Sequence, residues 1–296
     1  MIARRTLLGR SAALAMLTGA APTLALDEPA LEEIQLWPGT PPGRGGVSGP
    51  EKIGGPGSGY GAVSNVSTPR MRVYRPAQPN GAAVLVCGGG GYFRIQLWKE
   101  STPAAKWLQA RGFTVFELIF RLPNDGWDSA TPFMDAQRAM KIIRTRAAEF
   151  SIDPSHIGIM GFSAGGHLAG FTALQPDREL YSGADRYEQV SARPDFSVLL
   201  FPVVSLRKPY DTTRTRREIV GRDPSSRAEN EWSLDTYASK DAPPTIIFAS
   251  ADDPITPPGH GILLFEKLIG AGASAELHFF KDGGHGWGLG RPEQVL

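Results

Sequence analysis

The pentapeptide Gly161-Phe162-Ser163-Ala164-Gly165 constrains this chain more than any other stretch. The apolar run Ile157-Gly158-Ile159-Met160 precedes it, and the small, apolar run Leu168-Ala169-Gly170-Phe171-Thr172-Ala173-Leu174 follows. That order predicts a strand, a sharp turn and a helix. A turn this tight leaves no room for side chains two residues before and two residues after the serine, which is where the glycines stand. It would carry the Ser163 hydroxyl to the top of a sheet, with the next N–H facing the same space.

Such a turn needs a buried sheet behind it, and the chain supplies one. Gly81 to Cys87 and Gly112 to Phe120 are short continuous apolar runs of the kind buried in parallel sheets, and Pro69 to Arg75 alternates like an edge strand. Asp195 to Phe201, Pro244 to Ser250 and Ser274 to Phe280 predict three later strands. A capped helix is expected from Ser101 to Ala110. A second is expected from Thr131, as cap, through Phe133, Ala136, Met140, Ile143, Ala147 and Phe150, apolar positions at three- and four-residue spacing. Strand, helix, strand in this order builds a parallel α/β sheet in a single domain. Residues 38–61, dense in glycine and proline, are expected to be a long surface loop without regular structure.

Residues 1–25 have the pattern of a cleavable export signal. Arg4-Arg5-Thr6-Leu7-Leu8 is of the twin-arginine type, the apolar run from Ser11 to Ala21 is short for a bilayer span, and cleavage is expected after Ala25. The expected destination is the periplasm or the medium, with no membrane insertion after cleavage. Formal net charge is +1, from 31 basic and 30 acidic residues, which makes nucleic acid and anionic membrane surfaces poor partners. The single cysteine, Cys87, excludes an intramolecular disulfide and a paired-cysteine metal site, and its apolar neighbours make it a buried small hydrophobe. No metal or organic cofactor is indicated.

A serine hydroxyl becomes a good nucleophile only when a base takes its proton, and a histidine base needs a carboxylate to fix its tautomer. Ser163, the Asp252-Asp253 pair and His285 occur in the order serine, acid, histidine, each following an expected strand. The spacing from Asp253 to Pro257 favours Asp253 over Asp252. His167, one turn into the elbow helix, is expected to pack or orient, since a base must approach the serine from the opposite loop. The Gly88-Gly89-Gly90-Gly91 run after a buried strand can converge backbone N–H groups on one point, as an oxyanion site requires, with a flexible turn as the alternative; a phosphate loop would need a Gly-Lys-Ser/Thr ending that is absent. Trp37, Tyr92, Trp98, Trp232 and Trp287 are candidates for a sugar platform, with core packing as the alternative for each; Tyr92 and Trp287 are the two expected to bind substrate.

Together these residues resemble the acetyl xylan esterase or hemicellulose esterase-like members of the α/β-hydrolase superfamily, related to the hormone-sensitive-lipase-like esterases. The resemblance rests on Leu36-Trp37-Pro38-Gly39, Gly88 to Tyr92, Phe120-Arg121-Leu122-Pro123, Asp135 to Ala139, Ile152-Asp153-Pro154, Gly161 to His167, Pro202 to Leu206, Asp252-Asp253-Pro254 and Gly284 to Gly288. It implies an α/β-hydrolase fold, with Ser163 as nucleophile, His285 as base and Asp253 as its orienter. The N–H groups of Gly90, Gly91 and Ala164 would hold the oxyanion. Cys87-Gly88 stands where relatives often carry a proline or histidine. The sequence ends 11 residues after His285, so the closing helix of such folds is expected to be short or missing. The implied activity is removal of short acyl groups, acetyl above all, from plant cell-wall polysaccharide or its oligosaccharides. A general carboxylesterase, an arylformamidase-like amidase and a non-catalytic carbohydrate-binding protein are the alternatives.

Overall fold

The computed structural model describes residues 31–290, apart from positions 56, 58 and 184. The export signal read over residues 1–25 and any closing helix beyond residue 290 lie outside the described residues.

In chain order the strands are β1 (Glu32–Gln35), β2 (Lys52–Ile53), β3 (Ala62–Ser64), β4 (Arg70–Tyr74), β5 (Ala83–Cys87), β6 (Ile95–Gln96), β7 (Thr114–Ile119), β8 (Ile157–Phe162), β9 (Phe196–Leu200), β10 (Thr245–Ser250) and β11 (Ala275–Phe280). The α-helices are α1 (Thr102–Gln109), α2 (Thr131–Thr145), α3 (Ala164–Leu174), α4 (Arg214–Val220), α5 (Ser226–Glu231) and α6 (Gly259–Gly270). The main sheet has the order β1-β4-β7-β5-β8-β9-β10-β11. β1 and β4 run antiparallel at one edge, and the strands from β7 onward are parallel. β5, β7 and β8 are buried along their whole length, which is why their sequences are continuous rather than alternating.

One face of the sheet packs Ala104, Ala105 and Leu108 of α1 against Val84, Val86 and Val115. The other packs Phe133 of α2, Leu168 of α3 and Leu264 of α6 against Leu85, Ile159 and Ile247. Burying each large side chain of this kind contributes roughly 1.5–3 kcal/mol. The chain leaves β5, crosses to β7, then returns over β5 to β8, so the direction of winding reverses between β5 and β8. Ligands of open α/β sheets sit in the crevice beyond the carboxyl ends of such strands. Cys87 at the end of β5 is in register with Gly161 near the end of β8, so the glycine run and Ser163 leave the sheet side by side.

Two local expectations are corrected. Residues 38–61 are not wholly irregular: β2 pairs with β3, which pairs with β6 in a small antiparallel sheet, and Gly45 bridges Trp127. Thr131 does not cap α2; it lies inside the first turn and its hydroxyl donates to the Asp128 carbonyl at 2.8 Å.

Candidate active site

Ser163 joins β8 to α3 with φ 51° and ψ −115°, a conformation costly for a residue with a Cβ. The glycines on either side make this turn possible. A Cβ on Gly161 would lie 2.1 Å from the Gly165 carbonyl oxygen, and one on Gly165 would lie 2.2 Å from that of Cys87. Both obstacles are backbone atoms, which cannot rotate away.

His285, in the loop after β11, has its Nε2 2.9 Å from Ser163 Oγ, and its Nδ1 is 2.7 Å from Asp253 Oδ2. Three segments far apart in sequence therefore meet in one hydrogen-bonded relay. Asp253 sits after β10, where its Oδ1 accepts the N–H groups of Ile255 at 2.8 Å and Thr256 at 2.9 Å, and its Oδ2 accepts the Thr256 hydroxyl at 2.8 Å. Burial pushes this carboxyl's pKa upward, but the hydrogen bond and charge of His285 and the two backbone N–H groups outweigh it, leaving the group below its ordinary value. It is thus held ionised beside the imidazole, where it can fix the tautomer and stabilise an imidazolium. Asp252 makes a different contact: its Oδ1 accepts the Gly284 N–H at 2.7 Å, which pins the loop that carries His285.

Ser163 and His285 line a cavity of about 280 Å³ together with Gly90 and Gly91. Gly90 and Gly91 have φ of 117° and 61°, so the glycine run turns back over the end of β5. Among the described residues the N–H groups of Gly90, Gly91 and Ala164 donate no backbone hydrogen bond, which leaves them available to an oxygen bearing negative charge.

Two residues expected to bind substrate are placed elsewhere. Tyr92 is buried in the core, and its hydroxyl is 2.9 Å from Nδ1 of His167. The turn from Gly90 to Tyr92, with Tyr92 itself at φ 59°, swings the ring inward. Trp287 packs edge-on against Phe201 and Phe280 and lines a separate small cleft with Ser250 and Leu289, not the cavity of Ser163. Trp37 and Trp232 are core residues, and Trp98 lies against Tyr60 at the surface. The aromatic ring that does line the cavity is Phe93.

His167 packs as its position suggested. Its Nε2 donates to the Trp232 carbonyl at 2.7 Å, since a carbonyl can only accept, and Nδ1 accepts from Tyr92. Burial pushes its pKa down to about 4, only partly offset by the bond to that carbonyl. It therefore supports the elbow helix as a neutral ring.

Glu100 was not singled out by its local pattern, which is that of a solvated glutamate before a helix. It lies in the π-helical turn Leu97–Ser101, buried at the cavity wall, and its Oε2 accepts the Gly89 N–H at 2.7 Å. Burial raises its pKa, opposed by the Gly89 bond and by the nearby charges of His285, Lys99 and Arg94. A carboxylate on Gly89 fixes the glycine loop from beneath. Thr256 is a further contributor, legible only as a hydroxyl residue three positions after an aspartate. Among the described residues no cluster of three or more His, Cys, Asp or Glu side chains could hold a metal ion.

Comparison with known proteins gives the same picture. The chain is 28% identical over 235 residues to an acetylxylan esterase of Xylanibacter ruminicola, covering 77% of this chain and 45% of that protein. The chain spans about half the length of that curated relative. The crystal structure of an acetyl ester-xyloside bifunctional hydrolase from Caldicellulosiruptor lactoaceticus matches with a TM-score of 0.68 at 32% identity, covering 75% of this chain and 80% of that one. The propionate-bound esterase Est2 of Thermogutta terrifontis matches with a TM-score of 0.66 at 27% identity, over 78% of this chain and 85% of that one. The BD-FAE family model matches residues 71–268, and with this match over most of its length the chain, which has the α/β-hydrolase fold of these solved structures, belongs to the BD-FAE family.

Proposed function

We propose that this esterase removes short acyl groups, acetyl above all, from plant cell-wall polysaccharide or its oligosaccharides. The observation that carries the reading is the relay Ser163–His285–Asp253 opening onto a cavity with free backbone N–H groups. Ser163 Oγ attacks the ester carbonyl carbon while its proton passes to Nε2 of His285. The electron pair of the C=O bond moves to oxygen, which the N–H groups of Gly90, Gly91 and Ala164 receive. Collapse restores the C=O bond and expels the sugar oxygen, which takes the proton from His285. Water then repeats the sequence on the acyl-serine, releasing the carboxylic acid and the free enzyme.

The polysaccharide substrate is supported by the acetylxylan esterase and acetyl ester-xyloside hydrolase relatives, and by an open cavity whose aromatic wall is Phe93. Export is supported by the sequence of residues 1–25 alone. The test is acetate release from acetylated xylan, acetylated mannan and small aryl esters by the chain and by Ser163→Ala. Release from xylan is expected, with kcat falling by at least about 10⁴-fold in the variant. Full activity in Ser163→Ala would sink the nucleophile assignment, and turnover of aryl esters alone would make the protein a general carboxylesterase.

A further inference from the structure

The near-neutral whole chain conceals a local excess of positive charge around this cavity. Arg94, Lys99 and Arg214 line its wall, and the buried Glu100 is the carboxylate among them. Arg94 and Arg214 both lie over the ring of Phe93, at 4.8 and 4.4 Å from its centroid. One ring therefore carries two guanidinium groups at the cavity wall.

The two are compensated unequally. Arg214 donates to Glu218 at 2.7 Å and to Asn124 at 2.8 Å. Arg94 makes no ion pair among the described residues, and its Nε is buried without a hydrogen-bond partner. A buried guanidinium donor without an acceptor is destabilising, and a ligand that supplies the acceptor removes that cost. The charge of Glu100 acts on Arg94 from nearby, but its Oε2 accepts from Gly89 and it gives Arg94 Nε no hydrogen bond. Lys99, on the same segment, is exposed and also makes no ion pair among the described residues.

The charge continues outward. Thr213 and Arg214 are shared with an adjoining open groove of about 600 Å³, lined further by Arg216, Arg217 and Arg222, with Asp211 as its acid. Arg216 is paired with Glu229, and Arg217 shares Glu218 with Arg214, whereas Arg222 makes no ion pair among the described residues. Counting every charge named, six cations face four acids, Glu100, Asp211, Glu218 and Glu229. An acetyl group at Ser163 has no length to enter this groove, so whatever occupies it belongs to the alcohol side of the ester.

We propose that the Arg94–Lys99 wall and the groove along α4 form a binding site for an anionic sugar chain, making acylated, uronate-bearing oligosaccharides the preferred substrate class. The proposal rests on the esterase reading of Ser163. A carboxylate on a sugar next to the acylated one accepts from Arg94 at the cavity wall, and further acidic units reach Arg217 and Arg222.

The experiment compares kcat/KM for acetylated xylotriose with and without a glucuronic acid branch. The acidic substrate is expected to be favoured about tenfold at low ionic strength, mainly through KM, and the preference should shrink as sodium chloride is raised toward 1 M. Arg94→Gln and, separately, the surface change Lys99→Gln should each reduce the ratio of the two kcat/KM values several-fold. Equal turnover of both substrates, or a ratio unmoved in both variants, overturns the groove while leaving the esterase intact. Faster turnover of a phosphorylated than of a uronate-bearing acetylated xylotriose overturns the uronate assignment. Failure to hydrolyse either substrate, with no labelling of Ser163 by a fluorophosphonate, overturns the esterase reading itself and the groove with it.

Discussion

Asp252 and Asp253 are adjacent, chemically identical and both follow β10, yet only one touches His285. The difference lies in the turn: two successive N–H groups, of Ile255 and Thr256, close on Oδ1 of Asp253 and aim its other oxygen at the imidazole. Asp253→Asn keeps the shape but replaces an acceptor oxygen, so the imidazole is no longer held in the tautomer that can take the Ser163 proton. Its kcat on p-nitrophenyl acetate is expected to fall by about 10³–10⁴-fold, with KM little changed. Asp252→Asn retains an oxygen for the Gly284 N–H and is expected to stay within about tenfold of the parent chain. Equal losses in the two variants would contradict this division of labour. At this scale the sequence was legible where chemistry follows from backbone position, as at Ser163, and not where it depends on which way a ring swings. Tyr92 illustrates the limit. It follows the glycine run directly, but a positive φ turns its ring into the core and leaves the cavity wall to Phe93.

The elements were placed by their apolar patterns, but the patterns did not show what ties one element to the next. Trp37, Arg121 and Asp135 come from three of the motifs that identify the family, and none of them reaches the Ser163 cavity. They meet in the interior: Arg121 Nη2 donates to Asp135 Oδ1 at 2.7 Å, the Arg121 N–H donates to Oδ2 at 3.0 Å, and the Trp37 indole N–H donates to Oδ1 at 2.8 Å. This cluster pins the segment after β1 and the segment after β7 to the second turn of α2. Sequence alone registers such residues as a signature without saying whether they serve chemistry or architecture. Arg121 and Asp135 are fully buried, so Asp135→Ala strands a guanidinium in the core and is expected to cost about 3–5 kcal/mol in urea unfolding. Activity per folded molecule should be retained; loss of activity at full stability would instead place the cluster in the catalytic machinery.

The mostly parallel α/β sheet follows from the alternation of strand and helix, while its strand order emerges only from the pairing, so the whole molecule was legible in outline. Its response to acid was not, because it depends on burial. His167 and His260 both lie in the interior as neutral rings, and burial pushes the pKa of each down to about 4. For His260 the charge of Asp253 opposes this shift, while His167 and His285 add to it. Its Nδ1 accepts the Val204 N–H at 3.0 Å, a bond that protonation there would remove. In the unfolded chain both rings take a proton near pH 6.5, so as pH falls from 6.5 toward 4 the unfolded state binds protons that the folded state refuses. Stability conferred by the two neutral rings is therefore complete above pH 6.5 and declines across that window, by about 2 kcal/mol for each ring between pH 7 and pH 5. Urea unfolding at the two pH values measures the decline directly. His167→Gln keeps a donor for the Trp232 carbonyl and an acceptor for Tyr92 but cannot titrate, so its unfolding free energy should fall by about 2 kcal/mol less than that of the parent chain over the same interval. His260→Gln should behave likewise, and a pH dependence unchanged in both variants would assign the acid sensitivity to other groups.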